Sequence, residues 1–600
     1  MQMVTFFSNK RNLIFLVFIC ILTTFIYSGM LKYSILSNDD IDYFTKYPEI
    51  LKLSWKSVGQ YFSSYYVMMY QPLPVLTFAI NYHFTETSPI PLHLVNLTFH
   101  LINIILVYSL SKSFFKTLTP SLLISFLFAV HPMNVEAVTW IAARSSSMYT
   151  CFYLLSLIFY IKNSLYKLQI RFLLISLFFF VVSLLCKVQA VTLPFVLLLL
   201  DYYLDRKNIK QLFIEKLPFI ILSLIFIIIA FRNFETLHYI ANSKLQSFSG
   251  LDVIFLTGRA IFFYLGKFII PLDLSAVYVF PLKSTFWLPF EYYVFTFIVI
   301  ILCIIVYKFR RNKELVLGVG VFLLTISINL PILPSRSIIF ADRYAYFPYL
   351  GLMFLFAGFC QSLFDKYAIT NRKYSYMIAA LILFYGFFLS FETWERITKW
   401  ENDLTLATDI IQKNPSVPFI AKIFRKRGNY YAKHQMMQES INDYSSAIAS
   451  DPTDVDSYIC RAYSYLNIHN LRDALPDLNK GIENKPNASV LYASRAMVKL
   501  NLGDKSGAWS DCNKCLSIDS TNAEAYNFRA VIKFQSGDLV GAQHELGAAI
   551  RFNGQYAEAF KNLGTVSFNL NNHVQACYYW RIAAQLGDRQ AAHFLDINCR

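Results

Sequence analysis

The stretch LIFLVFICILTTFIYSGMLKYSILSNDDIDYF, residues 13–44, joins an apolar run to a cluster of carboxylates. The apolar part, residues 13–30, follows a basic pair as a signal peptide would, but it lacks a small-residue cleavage site and many similar runs come after it. We therefore interpret it as a retained first transmembrane helix. The acidic part opens the first long loop and contains Asp39, Asp40 and Asp42.

The composition is that of a membrane protein with a soluble tail. Of 600 residues, 56% are hydrophobic and 17% are aromatic, and the mean hydropathy is +0.42, which is above the range of soluble domains. Apolar runs of about 16 to 22 residues recur as far as residue 391 and then stop. We predict a membrane domain of about 11 helices over residues 1–395 and a linker over residues 396–416.

The distribution of basic residues predicts the orientation. The formal net charge is +16, but the Lys and Arg residues lie mostly in short loops such as 205–210 and 307–314, where they mark the cytoplasmic side and do not indicate nucleic-acid binding. The opposite loops, including 32–92, 131–146, 232–251 and 334–346, and the tail are then extracytoplasmic. Segment 252–271 does not fit this alternation, so it is either re-entrant or miscounted.

The tail contains five repeats of about 34 residues, which is the period of tetratricopeptide repeats (TPR). A small-residue column holds Gly428, Ala462, Ala496, Ala530 and Gly564, each one repeat length from the next. An aromatic column holds Phe424, Tyr458, Tyr492, Tyr526 and Phe560, and a second small column holds Ser440, Ala474, Ala508, Ala542 and Ala576. Small residues let the two helices of a repeat approach closely, so residues 417–600 are predicted to form an α-solenoid.

The cysteines carry little information by themselves. Five of the ten lie in apolar runs and five in the tail, so no disulfide framework and no redox compartment can be inferred. The pair in CNKC, Cys512 and Cys515, could indicate redox chemistry or a metal, but Cys515 lies in a small-residue column that holds Ala447 and Ala549 in other repeats. We interpret the pair as packing residues.

Polar groups recur on the predicted extracytoplasmic side, where each costs free energy unless it is paired or lines a wet cavity. They are Asp39 and Asp40; His93, Asn96 and His100; His131, Glu136 and Arg144; Lys187 and Gln189; Arg259; and Arg336, Asp342, Arg343 and Tyr346. Any one of them could be structural, as a solvated helix end, an interhelical hydrogen bond or a snorkelling lysine. Together, several cations and an acidic pair favour a cavity that binds a phosphate and holds a carboxylate base.

Eight segments, in this order, resemble those of the transmembrane-and-TPR protein O-mannosyltransferases. They are NDDIDYF (38–44), YQPLPVLTFAINYHF (70–84), HLVNLTFHLINIILVY (93–108), HPMNVEAVTWIAARSSSMYT (131–150), CKVQAVTLPFVLLL (186–199), RAIFFYLGKFIIPLDLS (259–275), DRYAYFPYLGL (342–352) and TWERITKWENDLTL (393–406). Three positions depart from the family pattern: Gln71, Asn134 and Val188 stand where a cation, a His and a Glu are usual. These departures bear on the identity of the sugar.

The resemblance implies an all-α fold of the multi-span GT-C type followed by a TPR solenoid. It implies an inverting glycosyltransferase that moves a sugar, mannose in this family, from a polyprenyl phosphate to Ser or Thr hydroxyls of proteins docked on the repeats. Asp39 is our choice for the base, and Asp40 is our choice for a group that orients either the base or the acceptor. The residues predicted to bind the donor phosphate or substrate are His93, His131, Glu136, Arg144, Lys187, Gln189, Arg259 and Arg343.

Several alternatives remain open at this stage. The chain could be a non-catalytic, membrane-anchored TPR scaffold, or its acceptor could be a glycan or a lipid. No obligatory cofactor or metal is predicted, because cations can stabilise the phosphate leaving group. The sequence favours a bacterial inner membrane with the active site and repeats in the periplasm, and the alternative is the endoplasmic reticulum membrane with both in the lumen.

Overall fold

The computed structural model describes residues 10–37, 39–67, 69–115, 117–165, 169–232, 248–281, 283, 287–332, 338–370, 372–414 and 420–599. Within these ranges the regular secondary structure is helical, in α-helices and short 3-10 helices, apart from two short antiparallel strands, β1 (Tyr278–Val279) and β2 (Ile338–Phe340). The chain divides into two compact units, Met1–Pro415 and Ser416–Arg600. The predicted all-α fold is therefore confirmed. The predicted loop 232–251 and Arg336 lie largely or wholly outside the described residues.

The first unit contains seventeen described helices. They are α1 (Lys10–Tyr27), α2 (Asp39–Thr45), α3 (Trp55–Ser63), α4 (Pro72–Thr85), α5 (Pro89–Ser111), α6 (Thr119–Val130), α7 (Val135–Thr139), α8 (Arg144–Leu165), α9 (Ile170–Cys186), α10 (Leu193–Tyr203), α11 (Ile209–Arg232), α12 (Gly250–Ile269), α13 (Phe290–Lys308), α14 (Lys313–Ser327), α15 (Tyr349–Thr370), α16 (Arg372–Thr398) and α17 (Asp403–Lys413).

Fewer than the predicted 11 helices qualify as membrane spans by their length and apolar composition. Among the described residues, five helices are long and apolar enough to cross a membrane: Arg11–Lys32, Pro89–Ser111, Ile209–Ala230, Phe290–Lys308 and Lys373–Thr398. A further pair, α6 with the segment Pro132–Thr139, meets the test together but is bent by 57°. The chain is thus a membrane protein, and the count of 11 remains a prediction.

Segment 252–271, which did not fit the alternation of loops, largely coincides with α12. This helix begins with a capping box, in which Ser249 and Asp252 exchange hydrogen bonds, and a capping box satisfies otherwise unpaired backbone donors. Charged residues at positions 252, 259 and 267 interrupt its apolar sequence. These charges explain why α12 is not among the five apolar spans.

The predicted extracytoplasmic loop 32–92 is folded and not an open loop. It contains α2, α3 and α4, whose apolar side chains form one buried cluster that includes Tyr43, Tyr61 and Phe78. Its first residues are tied to the segment after α16, because Ser34 N–H donates to the carbonyl of Glu401 at 3.1 Å and Ser37 N–H donates to Asp403 at 2.9 Å. These bonds fix the start of the loop that carries the acidic pair.

The predicted linker 396–416 is largely structured and belongs to the first unit. Arg396, in the last turn of α16, donates to Asp409 of α17 at 2.8 Å, and both side chains are buried. Lys413 also pairs with Asp409, at 2.6 Å. The unit boundary after residue 415 lies close to the predicted start of the repeats at residue 417.

The second unit, in its described part 420–599, consists of five helix pairs and one further helix. They are α18 (Ile420–Lys433), α19 (Met437–Ser450), α20 (Val455–Asn467), α21 (Leu471–Asn484), α22 (Ser489–Asn501), α23 (Lys505–Ile518), α24 (Ala523–Gln535), α25 (Leu539–Phe552), α26 (Ala557–Asn569), α27 (His573–Gln585) and α28 (Arg589–Asn598). The second helices of successive pairs start one repeat length apart throughout, so the predicted repeat register is confirmed.

The small-residue columns have the expected steric role. A Cβ added at Gly428 would collide with the ring of Tyr444, and one added at Gly564 would collide with the indole of Trp580. Cys512 and Cys515 are buried, free and part of a hydrophobic cluster, in agreement with the packing interpretation. A disulfide joins Cys577 to Cys599, which the sequence did not reveal.

Candidate active site

The acidic pair separates into one buried and one partly exposed carboxylate. Asp40 is 1% exposed, and its two oxygens accept hydrogen bonds from the backbone N–H groups of Ala142 at 2.7 Å and Leu36 at 3.3 Å. Burial raises the pKa of Asp40 to about 7, although the two backbone donors oppose this shift. Asp40 thereby joins the loop before α2 to the segment after α7. This connection fixes the position of the neighbouring Asp39.

Asp39 lines a cavity of about 480 Å³ in the first unit. Four of the residues predicted from the sequence meet at its wall: Asp39, Lys187, Gln189 and Arg343. Further polar and aromatic parts of the wall come from Tyr43, Tyr65, Tyr70, Gln71, Trp140, Ser145 and Tyr344, and apolar parts from Leu184, Val191, Phe226, Ile227, Ala230 and Ile328. The cavity thus offers a carboxylate and two cations within a mainly apolar wall.

Lys187 reaches this cavity through a break between two helices. Helix α9 ends at Cys186, Lys187 has an extended backbone, and a 3-10 turn over Val188–Thr192 leads into α10. The Lys187 ammonium donates to the hydroxyl of Ser146 at 2.7 Å. In the same turn, the Gln189 amide nitrogen donates to Asn329 at 3.2 Å. Both side chains line the cavity.

Arg343 is held by Glu136, which was itself predicted as a site residue. The Glu136 carboxylate accepts hydrogen bonds from the Arg343 guanidinium and from the Arg343 backbone N–H, the latter at 2.7 Å. Burial by itself would lower the pKa of the Arg343 guanidinium, but the charge of Glu136, its hydrogen bond and further contributions from Tyr344 and Asp39 together raise this pKa. The guanidinium also lies over the ring of Trp140, 5.0 Å from its centroid. Glu136 acts behind the wall as an anchor for Arg343.

Arg144 is a buried connector and does not line the cavity. Its guanidinium donates to Asn96 and Asn81 at 2.8 Å each, to Thr77 at 3.0 Å and to the carbonyl of Leu92 at 2.8 Å. The side chain is 0% exposed and lies over the ring of Phe78. These bonds join α4, α5 and α8 and use most of the donors that a guanidinium offers.

The remaining predicted residues also lie away from the cavity wall. His131 accepts a hydrogen bond from the Met133 N–H at 3.3 Å and contacts the carbonyl of Phe268 at 3.2 Å. His93 is buried within α5. Arg259 lies over the rings of Phe295 and Phe340. Their predicted contact with the donor is therefore not supported by their positions.

Sequence reasoning did not select Gln71, Tyr43 or Trp140 as site residues, although all three line the cavity. Tyr43 follows Asp39 by four residues, so it lies on the same face of α2, and this spacing is a signal that could have been used. Among the described residues, no three His, Cys, Asp or Glu side chains come together in a way that could hold a metal ion.

Curated proteins similar to this chain carry protein O-mannosyl-transferase names. The protein F38B6.6 of Caenorhabditis elegans is 23% identical over 401 residues, which cover 64% of this chain and 54% of the relative. TMTC3 of Homo sapiens is 22% identical over 443 residues, which cover 67% and 47%. A shorter match to human TMTC1 is 37% identical over 92 residues, or 15% of this chain and 10% of the relative. The resemblance inferred from the eight segments is confirmed.

The chain spans about half the length of the first two of these relatives. Both come from animals, so they do not support the predicted bacterial inner membrane. No protein-family model matches the chain.

Solved structures similar to parts of the chain include MamA, at 16% identity over 29% of this chain and 94% of that one with a TM-score of 0.25. Another is YrrB, described as a TPR protein with an unusual peptide-binding site, at 17% identity over 32% and 97% with a TM-score of 0.26.

Proposed function

We propose that the chain transfers mannose from a polyprenyl phosphate to Ser or Thr hydroxyls of extracytoplasmic polypeptides. The observation that carries this proposal is the cavity that brings Asp39 together with Lys187 and Arg343. The names of the relatives, protein O-mannosyl-transferases, support the class of reaction. The apolar part of the wall, which includes Leu184, Phe226 and Ile328, suits the hydrocarbon chain of a lipid carrier.

In the proposed reaction, the acceptor hydroxyl attacks the anomeric carbon of the donor sugar. Asp39 accepts the hydroxyl proton as the new carbon–oxygen bond forms. The bond between the anomeric carbon and the phosphate oxygen breaks, and its electron pair leaves with the polyprenyl phosphate. A single displacement of this kind inverts the anomeric centre. All atoms are conserved, because the proton lost by the acceptor is held by Asp39 and then released to solvent.

Lys187 and Arg343 are placed to stabilise the departing phosphate. Charge-assisted hydrogen bonds to a phosphate oxygen are stronger than neutral ones, and fixed cations in an apolar wall need little reorganisation during the reaction. Glu136 holds Arg343 in position while leaving other guanidinium donors for the phosphate. In this proposal the two cations supply the stabilisation that a divalent metal would otherwise provide.

We further propose that the TPR unit docks the acceptor and lies in an oxidising compartment, as Asp39 does. The disulfide between Cys577 and Cys599 supports an extracytoplasmic location, because disulfides are rare in the reducing cytoplasm. Five stacked helix pairs offer the extended kind of surface that repeat proteins use for binding. A catalytically inactive TPR scaffold is the competing function, and the assay of Asp39 separates the two.

The test compares Asp39→Asn with Asp42→Asn in a purified transfer assay. The first substitution keeps the size of the side chain but removes the proton acceptor, so we expect transfer to fall by at least about a hundredfold. Asp42 is the matched control, because it lies in the same helix and its side chain is 31% exposed and paired with Lys46. It should retain normal turnover. Wild-type turnover by Asp39→Asn would contradict the assignment of the base, and no transfer by the wild type would favour the scaffold.

A further inference from the structure

Gln71 is a buried amide in the cavity wall with one unused hydrogen-bonding atom. The side chain is 1% exposed, and its nitrogen donates to the hydroxyl of Tyr43. Within the described part of the chain, its oxygen, Oε1, has no hydrogen-bond partner. A buried acceptor without a partner is destabilising, which makes such an atom in a cavity wall a candidate contact for a ligand.

The neighbours of Gln71 keep this amide in place next to the acidic helix. Gln71 directly precedes α4, which starts with Pro72, and the following proline restricts the backbone of Gln71. Tyr43 packs its ring against Phe78 of α4, with the centroids 4.6 Å apart. Tyr43 and Asp39 lie one turn apart on α2, and both line the cavity together with Gln71. The amide, the phenol and the carboxylate thus belong to one part of the wall.

The pair presents one acceptor and one donor. The Tyr43 oxygen accepts from Gln71, and no described residue accepts the Tyr43 hydroxyl proton. The pair can therefore accept one hydrogen bond through Gln71 Oε1 and donate one through Tyr43. Two neighbouring hydroxyl groups of a sugar can supply the matching donor and acceptor at two separate atoms, whereas an ionised phosphate offers no donor for Gln71 Oε1.

We propose that Gln71 and Tyr43 bind neighbouring hydroxyl groups of the donor sugar and so contribute to its selection. This inference rests on the proposed function, because it requires a sugar in the cavity. A neutral amide and a phenol discriminate hydroxyl patterns, since a sugar that lacks the matching group leaves a buried polar atom unpaired. In this proposal Lys187 and Arg343 bind the phosphate, and Gln71 and Tyr43 bind the sugar.

The experiment measures equilibrium binding of two lipids to the purified full chain: a short-chain polyprenyl phosphate and the same lipid carrying mannose. Gln71→Met keeps the length of the side chain but removes both amide groups, and Tyr43→Phe removes only the hydroxyl. We expect each variant to bind the mannosyl lipid about tenfold more weakly, the size of effect expected when a buried hydrogen bond is lost. Binding of the sugar-free lipid should not change. The double variant should lose less than the product of the two single effects, because the two side chains act as a pair.

Lys187→Met is the contrasting variant, since it should weaken the binding of both lipids. An unchanged thermal unfolding midpoint establishes that each variant is folded, and Tyr43→Phe carries the test if Gln71→Met does not fold. Equal weakening of both lipids by Gln71→Met and Tyr43→Phe, or no weakening of either, would overturn the proposal and leave the proposed function intact. If the wild-type chain binds neither lipid, the proposed function fails and this inference fails with it.

Discussion

Asp39 and Asp40 show how adjacent carboxylates acquire different roles from their surroundings. Asp40 is buried and accepts backbone hydrogen bonds from Leu36, before α2, and from Ala142, after α7. Asp39 is partly exposed at the cavity wall. The buried residue fixes the loop, and the partly exposed one lies where a substrate can reach it. The two residues are of the same type in the sequence, so their different roles depend on the contacts that each makes in the folded protein.

The raised pKa of Asp40 predicts a pH-dependent stability. Its folded pKa of about 7 lies above the value of about 4 for an unfolded aspartate. The folded state therefore binds more protons than the unfolded state between these values, and the stability contributed by Asp40 is lost as the pH rises from about 4 through about 7. We expect the thermal unfolding midpoint of the wild type to fall over this range more steeply than that of Asp40→Asn.

The matched variant for this experiment is Asp342→Asn. Burial also raises the pKa of Asp342, so Asp342 likewise contributes stability that is lost as the pH rises. Each single variant should therefore remove part of the dependence of the unfolding midpoint on pH. Equal slopes in the wild type and in Asp40→Asn would contradict the assignment of a raised pKa to Asp40.

Helix breaks place the functional side chains at the scale of the elements. The break between α9 and α10 presents Lys187 and Gln189, and the bend after α6 leads to α7, which contains Glu136. Breaks of this kind are tolerated where the freed backbone groups are satisfied or line a cavity. With the bent pair counted as one span, the described residues contain up to six candidate spans.

The solenoid contains a ladder of ion pairs. Each of four successive repeats has one such pair, which joins the two helices of that repeat. Arg427, Arg461, Arg495 and Arg529 pair with Asp443, Asp477, Asp511 and Glu545, and the same sequence separation of 16 recurs in every pair. The carboxylates are almost completely buried and the arginines are partly exposed. The four arginines lie one repeat length apart, and so do the four carboxylates. The ladder therefore follows the repeat of the sequence.

Removing one carboxylate of this ladder should destabilise the solenoid. Asp511 pairs with Arg495 at 2.6 Å and with Lys499 at 2.9 Å, so Asp511→Ala leaves two cations without their partner. We expect the free energy of unfolding of residues 416–600 to fall by about 3 kcal/mol, measured by urea denaturation. Glu483→Ala is the control, because Glu483 forms an exposed pair with Lys480 and should cost less than about 1 kcal/mol. Equal effects of the two substitutions would show that the ladder is not stabilising.

For the whole molecule, the proposed reaction requires Asp39 and the repeats to share one compartment. The basic loops such as 307–314 predict this orientation by the positive-inside rule, and the disulfide in the second unit supports it. The two arguments are independent, because one concerns loop charge in the first unit and the other concerns cysteine chemistry in the second.

Labelling with a membrane-impermeant thiol reagent tests the orientation. In a background without the tail cysteines, Val574→Cys, at a position 83% exposed, and Thr45→Cys should react in sealed cells or correctly oriented vesicles. Arg311→Cys should react only after lysis. In the unmodified chain, Cys577 and Cys599 should react only after reduction, because they form a disulfide. Labelling of Val574→Cys only after lysis would place the repeats in the cytoplasm and refute acceptor docking.

Removal of residues 417–600 tests the docking role itself. The first unit has its own core and ends before the repeats, so the truncated chain should remain folded in the membrane. Transfer to long polypeptide acceptors should fall, and transfer to short peptides should fall less, because short peptides gain little from a distant binding surface. Equal loss for both acceptors would indicate that the repeats stabilise the enzyme instead of presenting substrates to it.

The sequence by itself determined the features that depend on local spacing. Apolar runs indicated a membrane protein, and the repeat period fixed the helix pairs of the solenoid in register, because the packing of a repeat involves residues close to one another in the chain. Four candidate residues, among them Asp39 and Lys187, lie at the wall of one cavity, and they were selected because charges beside apolar runs are conspicuous in the sequence.

The tertiary structure decided which polar residues line the cavity and which support it. Arg144, Glu136 and Asp40 look like site residues in the sequence, yet they bind partners about 50 to 200 residues away and serve as connectors. Gln71 stood out in the sequence only as a departure from the family pattern and Tyr43 did not stand out, yet both line the cavity. The physical reason is that burial and hydrogen bonding depend on contacts between distant segments, whereas helical periodicity depends on neighbours along the chain.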